Sequence, residues 1–337
     1  MSGVAGSYRA IVADPNLNGN AFEQRDLSTS NLPSGEITIE VEYSSLNYKD
    51  MLAFHPESKV VRNYPIVPGI DLAGTVVESA SEDIAVGTKV MAHGYSLGTG
   101  QDGGYAEYAR VPASWVVPLS RLSPKEAMRI GTAGFTAAMS VLALESANIT
   151  PSSGRILVTG ASGGVGSCAV DILSAAGFEV VASSGKAPTH ESVLRNLGAA
   201  EVIGRVPTGD ADEIRPLSKS TWAGAVDTVG GKTLAYVIST LHHGGLVAAS
   251  GNAGGASLPT TVLPFILRGV CLQGIDSVVM SIERRKEIWQ RIENDLLPSR
   301  ISLVSDEVEI KHIDTAISRM SSGKHDGRTV VKVKGGF

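Results

Sequence analysis

A chain of 337 residues has material for two domains of ordinary size. With 43% apolar residues, 19% charged residues and 38 glycines it can bury sizeable cores and is rich in turns, which excludes general disorder. The formal net charge is −5 and the lysines and arginines are scattered, so the electrostatic footprint of a nucleic-acid binder is missing, while a small phosphorylated ligand stays admissible.

In chain order, short strand-like runs come first: Tyr8–Ala13, Glu36–Tyr43, Gly74–Glu78, Lys89–Ala92, Tyr105–Val111 and Trp115–Pro118. Their spacing predicts a mostly antiparallel, barrel-like unit. Ser123-Pro124 reads as a helix N-cap with proline at the first helical position, and the text then turns to long apolar helical segments. From Arg155 the period becomes strand, helix, strand, which predicts an α/β doubly wound parallel sheet. Its strands are expected at Arg155–Thr159, Glu179–Ala182, Glu201–Ile203, Ala223–Asp227, Leu246–Ser250 and Val270–Gly274. Val165, Ala169, Ile172, Leu173 and Ala176 recur at helical spacing after the first of these, with Gly177 as C-terminal cap. A further helix begins near Ser281, with Ile282, Ile288, Trp289, Ile292 and Leu296 as its apolar stripe, and stops at Pro298. The chain thus divides into residues 1–122, 123–298 and 299–337, the last being too short to stand alone and expected to rejoin the first.

Two cysteines, Cys168 and Cys271, cannot build a disulfide framework, and their helix and strand positions suggest buried packing. This predicts a reducing, cytoplasmic setting. The small residues before Arg9 lack an apolar core suited to a secretory signal. Thr233–Leu267 is free of Asp, Glu, Lys and Arg, but its glycine pairs and prolines read as a buried sheet region rather than a membrane span. His242-His243 reads as a turn before Gly244-Gly245, not a metal pair.

Gly160-Ala161-Ser162-Gly163-Gly164-Val165-Gly166 lies between an expected strand and an apolar helix, the context that a dinucleotide-binding bend requires. Glycines let backbone N–H groups approach a pyrophosphate, which rests on the positive end of the helix. The next strand ends in Ser183-Ser184-Gly185-Lys186, without the acidic residue that usually holds the ribose hydroxyls of NAD. A hydroxyl and an ammonium suit a 2′-phosphate, and Arg205 adds a second cation, so NADPH is the expected cofactor. Alcohol oxidation needs a metal or an ionisable tyrosine aided by lysine; no Tyr-x-x-x-Lys occurs, and a metal-free conjugate reduction fits better.

At Ser44-Ser45-Leu46-Asn47-Tyr48-Lys49-Asp50, at Pro68–Gly74 and at Ala161–Gly166 the chain resembles the medium-chain dehydrogenase/reductase superfamily. Ile130–Ala137, Pro264–Val270 and Gly274-Ile275-Asp276-Ser277 are similar to its quinone oxidoreductase-like, acrylyl-CoA reductase branch. The resemblance implies a GroES-like catalytic domain joined to a Rossmann domain. Where zinc-dependent members carry a Cys and a Gly-His-Glu, this chain has Asn47 and Gly69-Ile70-Asp71, and Met91–Ala109 has no four-cysteine lobe, so no metal site is expected. Tyr48, Ser162, Gly163, Gly164, Val165, Ser184, Gly185, Lys186, Arg205, Asn252, Ile266 and Ser277 are similar in position to the family's NADP contacts.

The implied reaction delivers hydride to the β-carbon of a short enoyl-CoA such as acrylyl-CoA, with hydrogen-bond donors meeting the enolate oxygen. Tyr48 is the candidate donor, or it packs against the cofactor alone; Asn47 lines the same pocket and Asp50 fixes the turn. Arg328 either faces a substrate phosphate or flanks the last strand. The alternatives are an NADPH:quinone oxidoreductase and an NADPH-binding sensor without turnover. The family resemblance also implies a homodimer, formed along Val270–Gly274.

Overall fold

The computed structural model describes residues 4, 6–17, 21–207 and 214–337, so most of the small-residue stretch before Arg9 lies outside the described residues. The chain opens with β1 (Ser7–Ala13), β2 (Phe22–Ser28), β3 (Ile37–Leu46), α1 (Tyr48–Ala53), β4 (Asp71–Ser79), β5 (Lys89–His93), β6 (Tyr108–Val111) and β7 (Val116–Pro118). There follow α2 (Pro124–Ser146), β8 (Ile156–Thr159), α3 (Gly164–Ala175), β9 (Val180–Ser183), α4 (Ala187–Asn196), β10 (Glu201–Ile203), β11 (Trp222–Asp227), α5 (Gly231–Thr240), β12 (Leu241–Ala249), α6 (Leu263–Arg268) and β13 (Cys271–Gly274). The remaining elements are α7 (Ile282–Asn294), β14 (Ser305–Glu309), α8 (Ile313–Ser321) and β15 (Arg328–Lys332). Two compact units result, one from Met1–Thr132, Val278–Glu287 and Ser305–Phe337, the other from Ala133–Ser277 and Ile288–Val304.

In the first unit the strand order is β14-β15-β3-β4-β5-β7, with β6 also pairing β3. All these pairings are antiparallel except β14 with β15. Ile37, Ile39 and Val41 alternate along β3 and are fully buried, so the two-residue period of the strand assigns one face to the core. Leu72, Val90, Val111 and Val331 meet them there. The expected strand Tyr105–Val111 begins later, at Tyr108, and Tyr105 itself is fully buried.

The second unit is a six-stranded parallel sheet in the order β10-β9-β8-β11-β12-β13. Counted from its first strand this is 3-2-1-4-5-6, the doubly wound order in which all loops after the strands open on one edge. β8, β9 and β11 are buried at every position, as strands covered on both faces must be.

Several expectations need correction. Thr233–Leu267 is not a buried sheet region but most of α5, then β12 and α6, with a largely exposed stretch between the last two. His242 and His243 belong to β12, whose pairing skips from Leu241 to Leu246 so that the four residues between bulge out of register. Cys168 is buried, but Cys271 is exposed, because β13 is the edge strand. Among the described residues, the helix long and apolar enough to cross a membrane is α2, and 78% of that window is buried, as in a core helix.

Helix α2 starts as its sequence requires: Ser123 N–H donates to the Glu126 carboxylate at 2.8 Å and Glu126 N–H to Ser123 Oγ at 3.3 Å. Inside the helix Gly131 breaks the ladder with φ 52° and ψ −160°, a region open to glycine alone. A Cβ there would lie 2.5 Å from Asp71 Oδ2 and 2.6 Å from Arg328 Nη2. Backbone strain and collision together predict that Gly131→Ala lowers stability by about 2–5 kcal/mol. Denaturant unfolding would read this directly; a variant within about 0.5 kcal/mol of wild type would show the break to be incidental.

Candidate functional site

In the second unit the chain leaves β8 at Thr159 and turns through Gly160, whose φ of 60° and nearness to the Thr228 hydroxyl exclude a side chain. Gly166 lies against the Gly160 carbonyl and lets α3 approach the strand. No side chain caps α3 at Gly163, and a Cβ there would meet nothing nearer than the Gly160 carbonyl at 3.3 Å. Uncapped N–H groups at the start of a twelve-residue helix, beside open space, make an anion-binding end.

Neighbouring loops complete the cluster. Ser162 Oγ lies 2.8 Å from Ser184 Oγ, and Lys186 N–H donates to Ser184 Oγ at 3.0 Å. The Arg205 guanidinium covers Gly185 so closely that a Cβ would sit 3.0 Å from Nη2. Ser162, Ser184, Gly185, Lys186 and Arg205 therefore converge from the ends of three adjacent parallel strands. Gly163, Gly164 and Val165 occupy the N-terminus of α3. Asn252 follows β12, Ile266 stands 71% exposed on α6, and Ser277 is buried beyond β13. Asp227, which the sequence reading missed, ties β8 to β11 by accepting from Thr159 Oγ1 at 2.6 Å and Gly230 N–H at 2.7 Å. Burial raises its pKa.

The first unit holds a second arrangement, built around the fully buried Asp71 at the start of β4. Its carboxylate accepts from Ser45 Oγ at 2.6 Å, Asn47 Nδ2 at 2.9 Å, Thr132 N–H at 2.9 Å and the Thr132 hydroxyl. Three of these donors meet Oδ2 and one meets Oδ1. The balancing cation is Arg328, 2% exposed, with Nη2 3.9 Å from Asp71 Oδ2 and Ser45 and Asn47 bridging the two. Arg328 donates to Ser45 Oγ at 2.9 Å, Asn47 Oδ1 at 3.1 Å and the carbonyls of Arg129, Leu46 and Met128 at 3.0, 3.3 and 3.4 Å. Five acceptors thus meet five N–H donors. Arg328 neither flanks the last strand idly nor extends toward a ligand: it is enclosed in the protein.

The chemistry of the partners fixes the Asn47 amide, since Asp71 only accepts and Arg328 only donates. Asn47 lies at the N-cap of α1, its own N–H donating to Asp50 Oδ2 at 2.8 Å, while Asp50 Oδ1 accepts from Ile70 N–H at 2.8 Å. Burial and the Asp71 charge push the Asp50 carboxyl up to about 7 against these two bonds. Tyr48, the first residue of α1, is 54% exposed. The three candidate catalytic residues thus share one turn: Asn47 and Asp50 face inward and Tyr48 faces out.

Burial alone would raise the pKa of Asp71, but the Arg328 charge and the Ser45 and Thr132 hydrogen bonds hold it below the usual carboxylate range. His93 is itself pushed down to about 3, by burial first and the Arg285 charge second, with Asp71 opposing. It is neutral at pH 7, so Arg328 is the charge that steadies Asp71. Arg285 Nη1, which only donates, lies 2.9 Å from His93 Nδ1 and 3.0 Å from Nε2, and the Thr132 hydroxyl lies 3.3 Å from Nδ1. Below its ordinary pKa of 6.5 the unfolded histidine takes up a proton that the folded one refuses down to about 3, so stability is present above 6.5 and is lost on acidification. His93→Gln offers the same acceptor and donor without titrating. Its thermal midpoint should fall less between pH 7 and pH 5 than that of wild type; equal falls would remove His93 as the cause.

Residues 33–121 match the alcohol dehydrogenase GroES-like domain family and residues 164–294 the zinc-binding dehydrogenase family. The chain is 48% identical to the "Probable acrylyl-CoA reductase AcuI" of Escherichia coli over 91% of its length and 94% of the relative's. The yhdH oxidoreductase of Salmonella enterica, solved with NADP, superposes with a TM-score of 0.92 at 45% identity, covering 96% of this chain and 99% of that one. The Bacillus subtilis protein yhfP, solved with NAD, does so with a TM-score of 0.93 at 45% identity, covering 97% and 99%. The second family's zinc does not fit the residues present: among the described residues no three His, Cys, Asp or Glu side chains are grouped to hold a metal, and the Asp71 carboxylate already accepts four hydrogen bonds. The shared fold, the glycine bend and these likenesses agree: the chain belongs to the medium-chain dehydrogenase/reductase superfamily, in its zinc-independent, quinone oxidoreductase-like branch.

Proposed function

We propose that the protein reduces the C=C bond of a short α,β-unsaturated acyl-CoA, acrylyl-CoA to propionyl-CoA, with NADPH. The observation that carries this reading is the cluster of Ser162, Ser184, Lys186 and Arg205 at the uncapped start of α3, in a chain so similar to an acrylyl-CoA reductase. The α3 N–H groups with Ser162, Gly163, Gly164 and Val165 suit a pyrophosphate, and Ser184, Gly185, Lys186 and Arg205 a 2′-phosphate. Tyr48, Asn252, Ile266 and Ser277 supply the remaining contacts to the cofactor. When bound, NADPH supplies a hydride to the β-carbon.

The chain's own task is then the negative charge on the thioester oxygen and the proton for the α-carbon. A hydrogen-bond donor placed at that oxygen stabilises the enolate. Tyr48 is the exposed hydroxyl of the candidate turn and takes this role, while Asn47 and Asp50 hold the turn from inside. Residues 1–122 and 299–337 form the catalytic part of this scheme and residues 123–298 the cofactor part. We further propose a homodimer joined along β13, whose outer edge is exposed, and a cytoplasmic setting in which Cys168 and Cys271 stay reduced.

The test is NADPH absorbance loss with acrylyl-CoA, crotonyl-CoA and a simple quinone. Acrylyl-CoA should give the highest kcat/KM, and a wide preference for quinone would overturn the substrate. Tyr48→Phe should lower kcat with acrylyl-CoA about a hundredfold; wild-type turnover would remove Tyr48 as donor.

A further inference from the structure

The segment that Tyr48 opens is folded on itself. Ser58 Oγ donates to the Leu52 carbonyl at 2.8 Å and Tyr64 Oη to the Ala53 carbonyl at 2.9 Å, while Met51, Ala53, Phe54 and Val61 anchor it in the core. Lys59, with φ 58°, closes the short turn at Pro56–Ser58. What the segment presents outward is cationic: Lys49 is half-buried, and Lys59 and Arg62 are exposed. Of its two acids Asp50 is buried on backbone N–H groups, so three cations stand against the one exposed carboxylate of Glu57.

Several cations elsewhere in this unit are held in ion pairs. Arg9 is paired with Glu107, Arg25 with Asp14, Lys89 with Glu42, Arg110 with Glu78, and Lys334 with Glu40. Among the described residues Lys49, Lys59 and Arg62 make no ion pair. In a chain of net charge −5, three unmatched cations on one compact excursion form a local positive field.

We infer that Lys49, Lys59 and Arg62 bind the phosphates of the substrate's 3′-phospho-ADP end, so that the excursion begun by Tyr48 holds both ends of an acyl-CoA. This rests on the proposed acyl-CoA activity. The thioester lies by Tyr48, the pantetheine arm runs over the segment, and the three cations receive the anionic terminus. A quinone has no group for them.

The experiment compares acrylyl-CoA with S-acrylyl-pantetheine, which lacks every phosphate, in wild type and in Lys49→Gln/Lys59→Gln/Arg62→Gln. The triple variant should raise KM for acrylyl-CoA roughly tenfold with kcat held, and leave both constants for the pantetheine ester unchanged. Added salt should raise the wild-type KM for acrylyl-CoA and affect the variant little. Adenosine 3′,5′-bisphosphate should compete with acrylyl-CoA in wild type and not in the variant. An unchanged KM for acrylyl-CoA, or an equal loss on both esters, overturns the phosphate site while leaving the reductase reading standing. A wild-type enzyme inert toward both esters overturns the activity and the site together.

Discussion

A carboxylate with no exposure to water keeps its charge only if the protein supplies what water would have supplied. Asp71 meets that demand with four donors and, at 3.9 Å, the guanidinium of Arg328. The break at Gly131 allows both halves of the arrangement. Before the break, the carbonyls of Met128 and Arg129 accept from Arg328; after it, Thr132 N–H donates to Asp71. A helix leaves carbonyls unpaired at one end and N–H groups at the other, and here a buried cation and a buried anion answer them side by side.

This pair also settles the turn on which the candidate chemistry stands. Asn47, between Asp71 and Arg328, is the N-cap of α1, and its carbonyl accepts from Asp50 N–H at 3.0 Å. Tyr48 comes next in the chain, so its backbone position follows from a buried network. A guanidinium is the local cation here. The proposed reduction asks for hydride and a hydrogen-bond donor rather than a Lewis acid.

Much of the architecture was legible because it is written in short-range periodicity. The strand Ile156–Thr159, the glycine bend and the apolar helix after it lie within one stretch of text, and Ser184, Lys186 and Arg205 follow at the ends of the next two strands. β2 and β14 were not legible: Phe22–Ser28 and Ser305–Glu309 are polar, half-exposed strands whose pairing partners alone make them strands. The buried network was hidden for a related reason. Asp71, His93, Thr132, Arg285 and Arg328 are far apart in sequence, and a charged residue on an isolated segment reads as a surface residue. Gly131 was visible within a family-like stretch, yet its positive φ becomes evident only with Asp71 and Arg328 packed against it. Cys271 misled because strand text does not reveal which strand is the edge.

The most direct test is a double-mutant cycle on Asp71 and Arg328, read by equilibrium unfolding. Arg328→Met alone should cost about 3–5 kcal/mol, because it strands a buried carboxylate. Asp71→Asn added to it should cost about 1–3 kcal/mol less than the sum of the two single losses, since the second change removes the stranded charge. Additivity within about 0.5 kcal/mol would contradict the account, showing that the two residues do not act as one unit.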